Sequence, residues 1–142
     1  MTEGQDKIGV FVVEDHEVVR RLLGKLIERM PDLSYFGGVA TAEEALEQIQ
    51  VLQPRLVLVD VSLPGMSGIH LISEIKECYP QVLTLAVSGH DEMLYAESSF
   101  KAGARGYVMK GRVTEVVEAI RTVCKGGDFF SEQVRDQLDK PE

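Results

Sequence analysis

The chain has 142 residues, of which 44% are hydrophobic and 27% charged, and its formal net charge is −8. This size and composition predict one globular domain with a full hydrophobic core. The acidic balance argues against direct binding to nucleic acid, because that affinity depends on neutralising phosphates. No stretch approaches the roughly 20 apolar residues of a membrane span, and the polar N-terminus argues against a signal peptide. Cys78 and Cys124 lack metal-ligand spacing, which predicts buried, reduced thiols in a cytoplasmic protein.

Segments with two different apolar periodicities alternate along the chain. Four apolar runs predict strands, and a further short strand is predicted for residues 34–40. Between the strands, apolar residues at helical spacing predict five amphipathic helices, and a capping box at Thr41 opens the second of them. The fourth helix, about residues 91–102, has the thinnest apolar stripe. The four apolar runs are residues 8–13, 56–60, 82–87 and 106–109.

This alternation predicts an α/β fold. Right-handed crossovers place helices on both faces of a parallel sheet, so we expect a flavodoxin-like, doubly wound (βα)5 sheet of five parallel strands. The domain is expected to occupy residues 1–127, because Gly126 and Gly127 end the last amphipathic helix. Residues 128–142 are acidic and include a proline, and we interpret them as a C-terminal tail or the start of a linker.

Polar residues able to do chemistry follow four of the predicted strands. Because the carboxyl ends of parallel strands meet at one edge of a sheet, these residues are expected to converge there. Taken one at a time, each has a plainer interpretation as a helix cap, a turn residue or a surface charge. Their occurrence at equivalent strand ends favours a common functional site instead. The residues are Glu14 and Asp15 after the first strand, Asp60 after the third, Ser88 after the fourth and Lys110 after the fifth.

These residue types indicate phosphoryl transfer to Asp60. Three carboxylates at one edge repel one another without a counter-ion, and sparse carboxylate ligation suits Mg²⁺. A carboxylate is a known nucleophile for phosphoryl transfer and forms an acyl phosphate. The metal, the Ser88 hydroxyl and the Lys110 ammonium can each take one oxygen of the transferred group. The set contains no strong general base, which favours phosphoryl transfer over hydrolysis of a carbonyl.

The order and spacing of these residues resemble the receiver domain of bacterial two-component response regulators, over about residues 7–127. The resemblance implies that Asp60 accepts a phosphoryl group from the phosphohistidine of a sensor histidine kinase or phosphotransfer protein. It implies that the chain is not a conventional enzyme but catalyses its own phosphorylation and dephosphorylation. It also implies that phosphorylation changes the conformation of the domain, which then controls an output domain or a downstream protein.

The resemblance assigns a metal site as well. Asp15 is expected to bind Mg²⁺ directly, with Mn²⁺ as an alternative ion, and Glu14 is expected to assist directly or through water. Asp60 and the backbone carbonyl of Ser62 are the remaining implied ligands. The chain departs from the family pattern at two positions: Glu14 stands where Asp is commoner, and Gly111 stands where many members carry proline.

The resemblance further implies a conformational switch. Ser88 and Lys110 are expected to hold the phosphoryl oxygens, and Ser88 is expected to move toward the phosphoryl group. Tyr107 occupies the position of the family's switch aromatic and is expected to rotate inward into the vacated space. Ser62 and His90, each two residues beyond a site residue, are expected to influence phosphate lifetime.

Two segments point to one branch of the family. Residues 13–16 and 103–107 resemble the receivers of LuxR-type regulators, which carry a C-terminal helix-turn-helix domain. This likeness implies a role in transcription regulation and homodimerisation on phosphorylation. The 142 residues themselves contain no helix-turn-helix pattern. His16 and His70 are interpreted as surface or capping residues.

Two other functions compete with this hypothesis. A phosphate-independent interaction module would keep the fold but would not need the complete acidic, hydroxyl and lysine set found here. A ligand-binding flavodoxin-like domain or a phosphatase would need a Gly-rich phosphate loop or a nucleophilic cysteine motif, and the sequence contains neither. The sequence therefore favours the phosphoacceptor over both alternatives.

Overall fold

The computed structural model describes residues 7–63, 67–89 and 93–138. Strands and helices alternate over these residues in the predicted order, and one further helix follows the last predicted one. The strands are β1 (Ile8–Val13), β2 (Leu33–Val39), β3 (Leu56–Asp60), β4 (Leu83–Ser88) and β5 (Tyr107–Met109). The helices are α1 (Glu17–Glu28), α2 (Ala42–Leu52), α3 (Gly68–Cys78), α4 (Met93–Ala102), α5 (Val113–Cys124) and α6 (Glu132–Leu138). His90 and the predicted start of the fourth helix at residue 91 lie outside the described residues.

The strands form one five-stranded parallel sheet in the order β2-β1-β3-β4-β5. The chain runs from β1 outward to β2, then returns past β1 to build β3, β4 and β5 on the other side. This is the doubly wound order of flavodoxin-like folds, so the predicted fold class is confirmed. Asp60 pairs with Val87 and Ser88 pairs with Met109, so the carboxyl ends of β3, β4 and β5 meet at one edge of the sheet.

Helices cover both faces of the sheet and bury two apolar layers. Phe11 lies in the layer beneath α2, α3 and α4, whereas its neighbour Val12 lies in the layer beneath α1 and α5. Successive side chains of a strand point to opposite faces, which explains this division. All residues of β3 are buried, as expected for a central strand of a parallel sheet. Within residues 7–63, 67–89 and 93–138, no helix combines the length and the hydropathy needed to cross a membrane.

Two local predictions had different outcomes. The Thr41 hydroxyl accepts a hydrogen bond from the Glu44 backbone N–H at 3.2 Å and so caps α2, as the capping box predicted. Both cysteines are free thiols, but the expected burial was wrong for Cys78, which is exposed, and Cys124 is only partly buried. Cys78 is the last residue of α3, and Tyr79 packs against the apolar layer in its place.

The structure also differs from the sequence analysis after residue 127. The sequence predicts a tail or the start of a linker here, but the first part of the segment folds back onto the domain. Phe129 forms an isolated parallel bridge with Gly106, and Phe130 and Val134 are buried. A helix of seven residues is too short to show a clear apolar periodicity, which is why the sequence pattern did not predict α6. The division into a receiver over residues 1–127 and a following linker stays a prediction.

Candidate functional site

The carboxylate of Asp60 is buried at the end of β3 and is held at both oxygens. Its Oδ1 accepts hydrogen bonds from the backbone N–H and from the hydroxyl of Ser62, both at 3.0 Å. Its Oδ2 accepts a hydrogen bond from Lys110 Nζ at 3.2 Å. These bonds hold the side chain in one orientation, which favours a defined direction of attack.

Glu14 is buried just after β1 and forms a second anchor of the site. Its Oε2 accepts hydrogen bonds from Lys110 Nζ and from the backbone N–H of His16, both at 3.1 Å. The Nδ1 atom of His16 lies 3.1 Å from the same oxygen. The Glu14 backbone is fixed from both sides, because its N–H donates to the Val39 carbonyl and its carbonyl accepts from the Arg20 guanidinium.

Lys110 joins the ends of β1, β3, β4 and β5. Its backbone N–H donates to the Ser88 carbonyl at 2.8 Å, which fixes the start of the loop after β5. Its side chain is 16% exposed, and its ammonium group contacts both Glu14 and Asp60. The Lys110 cation thus lies between two buried carboxylates that follow different strands.

Ser88 and Tyr107 lie on neighbouring strands and on the same face of the sheet. Tyr107 pairs with Ala86, and Ser88 follows Ala86 by two residues, so strand alternation directs both side chains to the face of the sheet that α2, α3 and α4 cover. Ser88 is 1% exposed and Tyr107 is 8% exposed. The structure therefore brings the two predicted switch residues together, while their movement stays a prediction.

The pKa values of the charged groups follow from this geometry. Burial and the neighbouring Asp60 charge raise the pKa of Glu14 above its ordinary value. Burial also raises the pKa of Asp60, but the Ser62 hydrogen bond and the Lys110 charge outweigh it, and the result lies below the ordinary value. For Lys110, burial lowers the pKa, but the Glu14 hydrogen bond and the Asp60 charge outweigh it and raise the pKa. Asp60 is thereby kept as a carboxylate, the form that a nucleophile needs.

The acidic residues fit a divalent cation. The buried atoms Glu14 Oε1 and Asp15 Oδ1 have no hydrogen-bond partner among the described residues. Asp15 Oδ1 lies 3.4 Å from His16 Nδ1, a contact that lacks hydrogen-bond geometry. One ligand atom each from Glu14, Asp15, His16 and Asp60 lies within 4.8 Å of the other three. Carboxylate oxygens without donors at this spacing suit a hard cation such as Mg²⁺.

Sequence reasoning missed the position of His16 in this cluster. The sequence predicts a surface or capping residue, and His16 does lie at the N-cap of α1 with a ring that is largely exposed. Its side chain makes no capping bond and instead contacts Glu14 and Asp15. Its position directly after the acidic pair was the only available signal.

The raised pKa of Glu14 makes a stability prediction for the metal-free protein. Glu14 binds its proton more tightly in the folded state than in the unfolded state. The free energy of unfolding therefore falls as pH rises above the ordinary Glu pKa of 4.5 and Glu14 becomes ionised. Glu14→Gln removes this penalty, so we expect a higher urea midpoint than wild type at neutral pH in EDTA. The difference should vanish in acid, where Glu14 is protonated in both states.

The matched control is Glu47→Gln, which changes an exposed residue of α2. This control should unfold at the wild-type urea midpoint at each pH. A Glu14→Gln protein that is less stable than wild type at neutral pH would show that the Lys110 contact outweighs burial.

Known relatives of the chain are response regulators. The family of response regulator receiver domains matches residues 10–121. The chain is 36% identical over 139 residues to the transcriptional regulatory protein MctR of Rhizobium johnstonii, covering 97% of this chain and 64% of MctR. It is 33% identical over 132 residues to response regulator GacA of Pseudomonas viridiflava, covering 92% of this chain and 62% of GacA. The chain thus spans less than two thirds of the length of these relatives.

Two solved structures with the same fold are those of response regulators. A LuxR-family two-component response regulator from Aurantimonas superposes with a TM-score of 0.86 at 30% identity, covering 93% of this chain and 95% of that one. The signal receiver domain of a putative response regulator NarL from Mycobacterium tuberculosis superposes with a TM-score of 0.80 at 27% identity, covering 85% of this chain and 98% of that one. The resemblance to LuxR-type receivers is confirmed. The chain belongs to the family of response regulator receiver domains of two-component signalling.

Proposed function

We propose that this receiver domain accepts a phosphoryl group on Asp60 in a Mg²⁺-dependent reaction. The observation that carries the proposal is the buried Asp60 carboxylate beside two acidic oxygens, those of Glu14 and Asp15, that have no hydrogen-bond partner in the described part of the chain. A carboxylate with a lowered pKa is ionised at neutral pH and is a competent nucleophile. Lys110, within 3.2 Å of it, offers a positive charge for the incoming phosphoryl oxygens.

The proposed transfer forms one bond and breaks one. A carboxylate oxygen of Asp60 attacks the phosphorus of a phosphohistidine, the phosphorus–nitrogen bond breaks, and the donor imidazole leaves with the electron pair. The product is an acyl phosphate on Asp60. Glu14, Asp15, Asp60 and the Ser62 carbonyl would hold Mg²⁺, which when bound neutralises charge on the phosphoryl oxygens.

The proposed switch starts from the added charge. Phosphorylation replaces one carboxylate charge by about two and adds acceptor oxygens. The Lys110 ammonium can move to contact one of these oxygens, and the Ser88 hydroxyl can donate a hydrogen bond to another. Each charge-assisted bond contributes about 1.5–3 kcal/mol. Two such bonds contribute about 3–6 kcal/mol, a range that includes the roughly 5.5 kcal/mol that inverts a 1:99 equilibrium. We expect Tyr107 and α4 to repack in response.

The proposed partners follow from the family. We expect the phosphoryl donor to be a sensor histidine kinase or a phosphotransfer protein, and the receiver to control an output domain or downstream protein that regulates transcription. We also expect homodimerisation on phosphorylation, loss of the phosphoryl group by self-catalysed hydrolysis, and a cytoplasmic location. Mn²⁺ should replace Mg²⁺, because its ligand preferences are similar.

A labelling experiment tests the metal requirement. The full chain and Asp15→Asn are incubated with acetyl phosphate, with Mg²⁺ or with EDTA, and their intact masses are measured. We expect a single phosphoryl adduct on the wild type with Mg²⁺, and at least about tenfold less adduct in EDTA or on Asp15→Asn. No adduct, under conditions that label a known receiver domain, would instead favour a phosphate-independent interaction module.

A further inference from the structure

The outer edge of β5 is occupied by the C-terminal segment, which we define as residues 128–138. The backbone N–H of Tyr107 donates to the Phe129 carbonyl at 2.9 Å, and the Phe129 N–H donates to the Arg105 carbonyl at 2.9 Å. In the described sheet β5 is the last strand, so these bonds satisfy backbone groups that would otherwise be exposed at its edge. The segment therefore binds directly to the strand that carries the switch residue.

Apolar contacts hold the C-terminal segment on α4. The Phe130 ring packs edge to face against the Phe100 ring of α4, with 5.6 Å between their centroids. Phe130 is 8% exposed and Val134 is 5% exposed, although α6 lies at the surface. Without this surface a helix of seven residues would not be stable in water, so α6 depends on these contacts.

Polar contacts fix the direction of the C-terminal segment. Arg105 Nε lies 2.9 Å from Asp128 Oδ1, and the Arg135 guanidinium donates to the Asp128 carbonyl at 3.0 Å. The Ser131 hydroxyl accepts from the Val134 N–H and caps α6. The docked position is thus specified by an ion pair, a cap and strand bonds in addition to the apolar contacts.

The predicted switch residue forms a wall of the space beneath the C-terminal segment. A cavity of about 410 Å³ lies between β5, the start of α5 and the segment. Tyr107 and Met109 line it from β5, and Phe130 and Val134 line it from the segment. Rotation of the Tyr107 side chain would therefore change the volume against which Phe130 and Val134 pack.

We propose that the surface formed by β5 and α4 is a docking site for the chain's own residues 128–138, and that phosphorylation of Asp60 displaces them. The inference rests on the proposed phosphorylation. Inward rotation of Tyr107 withdraws one wall of the cavity, and repacking of α4 withdraws Phe100 from Phe130. Both changes remove contacts on which α6 depends. The same face of the domain then becomes available to a partner only in the phosphorylated state.

Hydrogen exchange of the full chain tests this coupling. Backbone amide exchange in residues 128–138 is measured with Mg²⁺, with and without beryllofluoride, an analogue of the phosphoryl group. We expect beryllofluoride to accelerate exchange in the C-terminal segment by about tenfold or more. Because coupling is reciprocal, Val134→Asp, which undocks the segment, should tighten beryllofluoride binding by a similar factor. Phe130→Ala provides a second, neutral way to undock it.

Gln137→Asp is the matched control, because it adds the same charge at an exposed position of α6. It should leave beryllofluoride affinity unchanged. If beryllofluoride binds but exchange in residues 128–138 does not change, the inference is wrong and the proposed phosphorylation stands. If beryllofluoride does not bind and acetyl phosphate forms no adduct, the proposed function is wrong, and the inference that rests on it is wrong too.

Discussion

Replacing Lys110 by methionine is expected to lower the free energy of unfolding of the metal-free protein by about 3 kcal/mol, the low end of the range for breaking a buried ion pair. Lys110 lies between the carboxylates of Glu14 and Asp60, which are both 1% exposed. Methionine keeps much of the side-chain volume but removes the cation, so two buried negative charges lose their shared partner. Urea unfolding in EDTA at neutral pH measures the loss.

The matched control is Lys101→Met. Lys101 Nζ lies 3.6 Å from Glu97 on the surface of α4, and its side chain is 67% exposed. An exposed pair of this kind contributes about 0–1 kcal/mol, so this variant should be close to wild type. Mg²⁺ should restore more stability to Lys110→Met than to wild type, since it supplies a counter-charge to the same carboxylates. Equal effects of the two lysine substitutions would contradict the proposed electrostatics of the site.

Gly68→Ala is expected to destabilise the protein by about 2–3 kcal/mol and to slow phosphorylation of Asp60. Gly68 is the first residue of α3, and a Cβ atom there would overlap the Asp60 carbonyl oxygen and approach Val61 Cα to 2.6 Å. Both clashing groups are backbone, so neither can move aside by changing rotamer. The start of α3 or the end of β3 must shift, and the shift would displace the Asp60 carboxylate from Ser62 and Lys110.

Gly111→Ala is the control that separates the steric clash at Gly68 from a general effect of replacing glycine by alanine. A Cβ atom at Gly111 would meet no described atom within 4 Å, although the residue directly follows Lys110. We therefore expect near wild-type stability and labelling for Gly111→Ala. Urea midpoints and the initial rate of adduct formation with acetyl phosphate compare the two variants. Wild-type behaviour of Gly68→Ala would mean that close contact between α3 and β3 is not required for the site.

The fold was predictable from sequence because its strands have a strong and simple signal. A parallel sheet covered on both faces needs strands that are apolar at every position, and the run that ends at Asp60 has this composition. A polar residue at the end of such an apolar run, such as Asp60, is therefore easy to identify from sequence. The convergence of Asp60, Ser88 and Lys110 at one edge follows from the topology of the sheet alone.

What the sequence did not predict depends on contacts between distant residues. Nothing in the local pattern indicates that Phe130 would pack on Phe100, since the two are separated by a strand and a helix. The contact between His16 and Glu14 was also not predictable, because it depends on the backbone turn after β1. The predicted burial of Cys78 was wrong because Cys78 is the last residue of α3. Apolar periodicity does not locate the ends of helices well.

The intact mass of wild type and Asp60→Asn after incubation with acetyl phosphate and Mg²⁺ tests the central claim most directly. Asparagine preserves the size of the side chain but removes the nucleophilic carboxylate, so the fold should persist, as circular dichroism can verify. We predict one phosphoryl adduct on the wild type and none on the variant. Labelling of the folded variant at the wild-type rate would contradict the assignment of Asp60 as the phosphoacceptor.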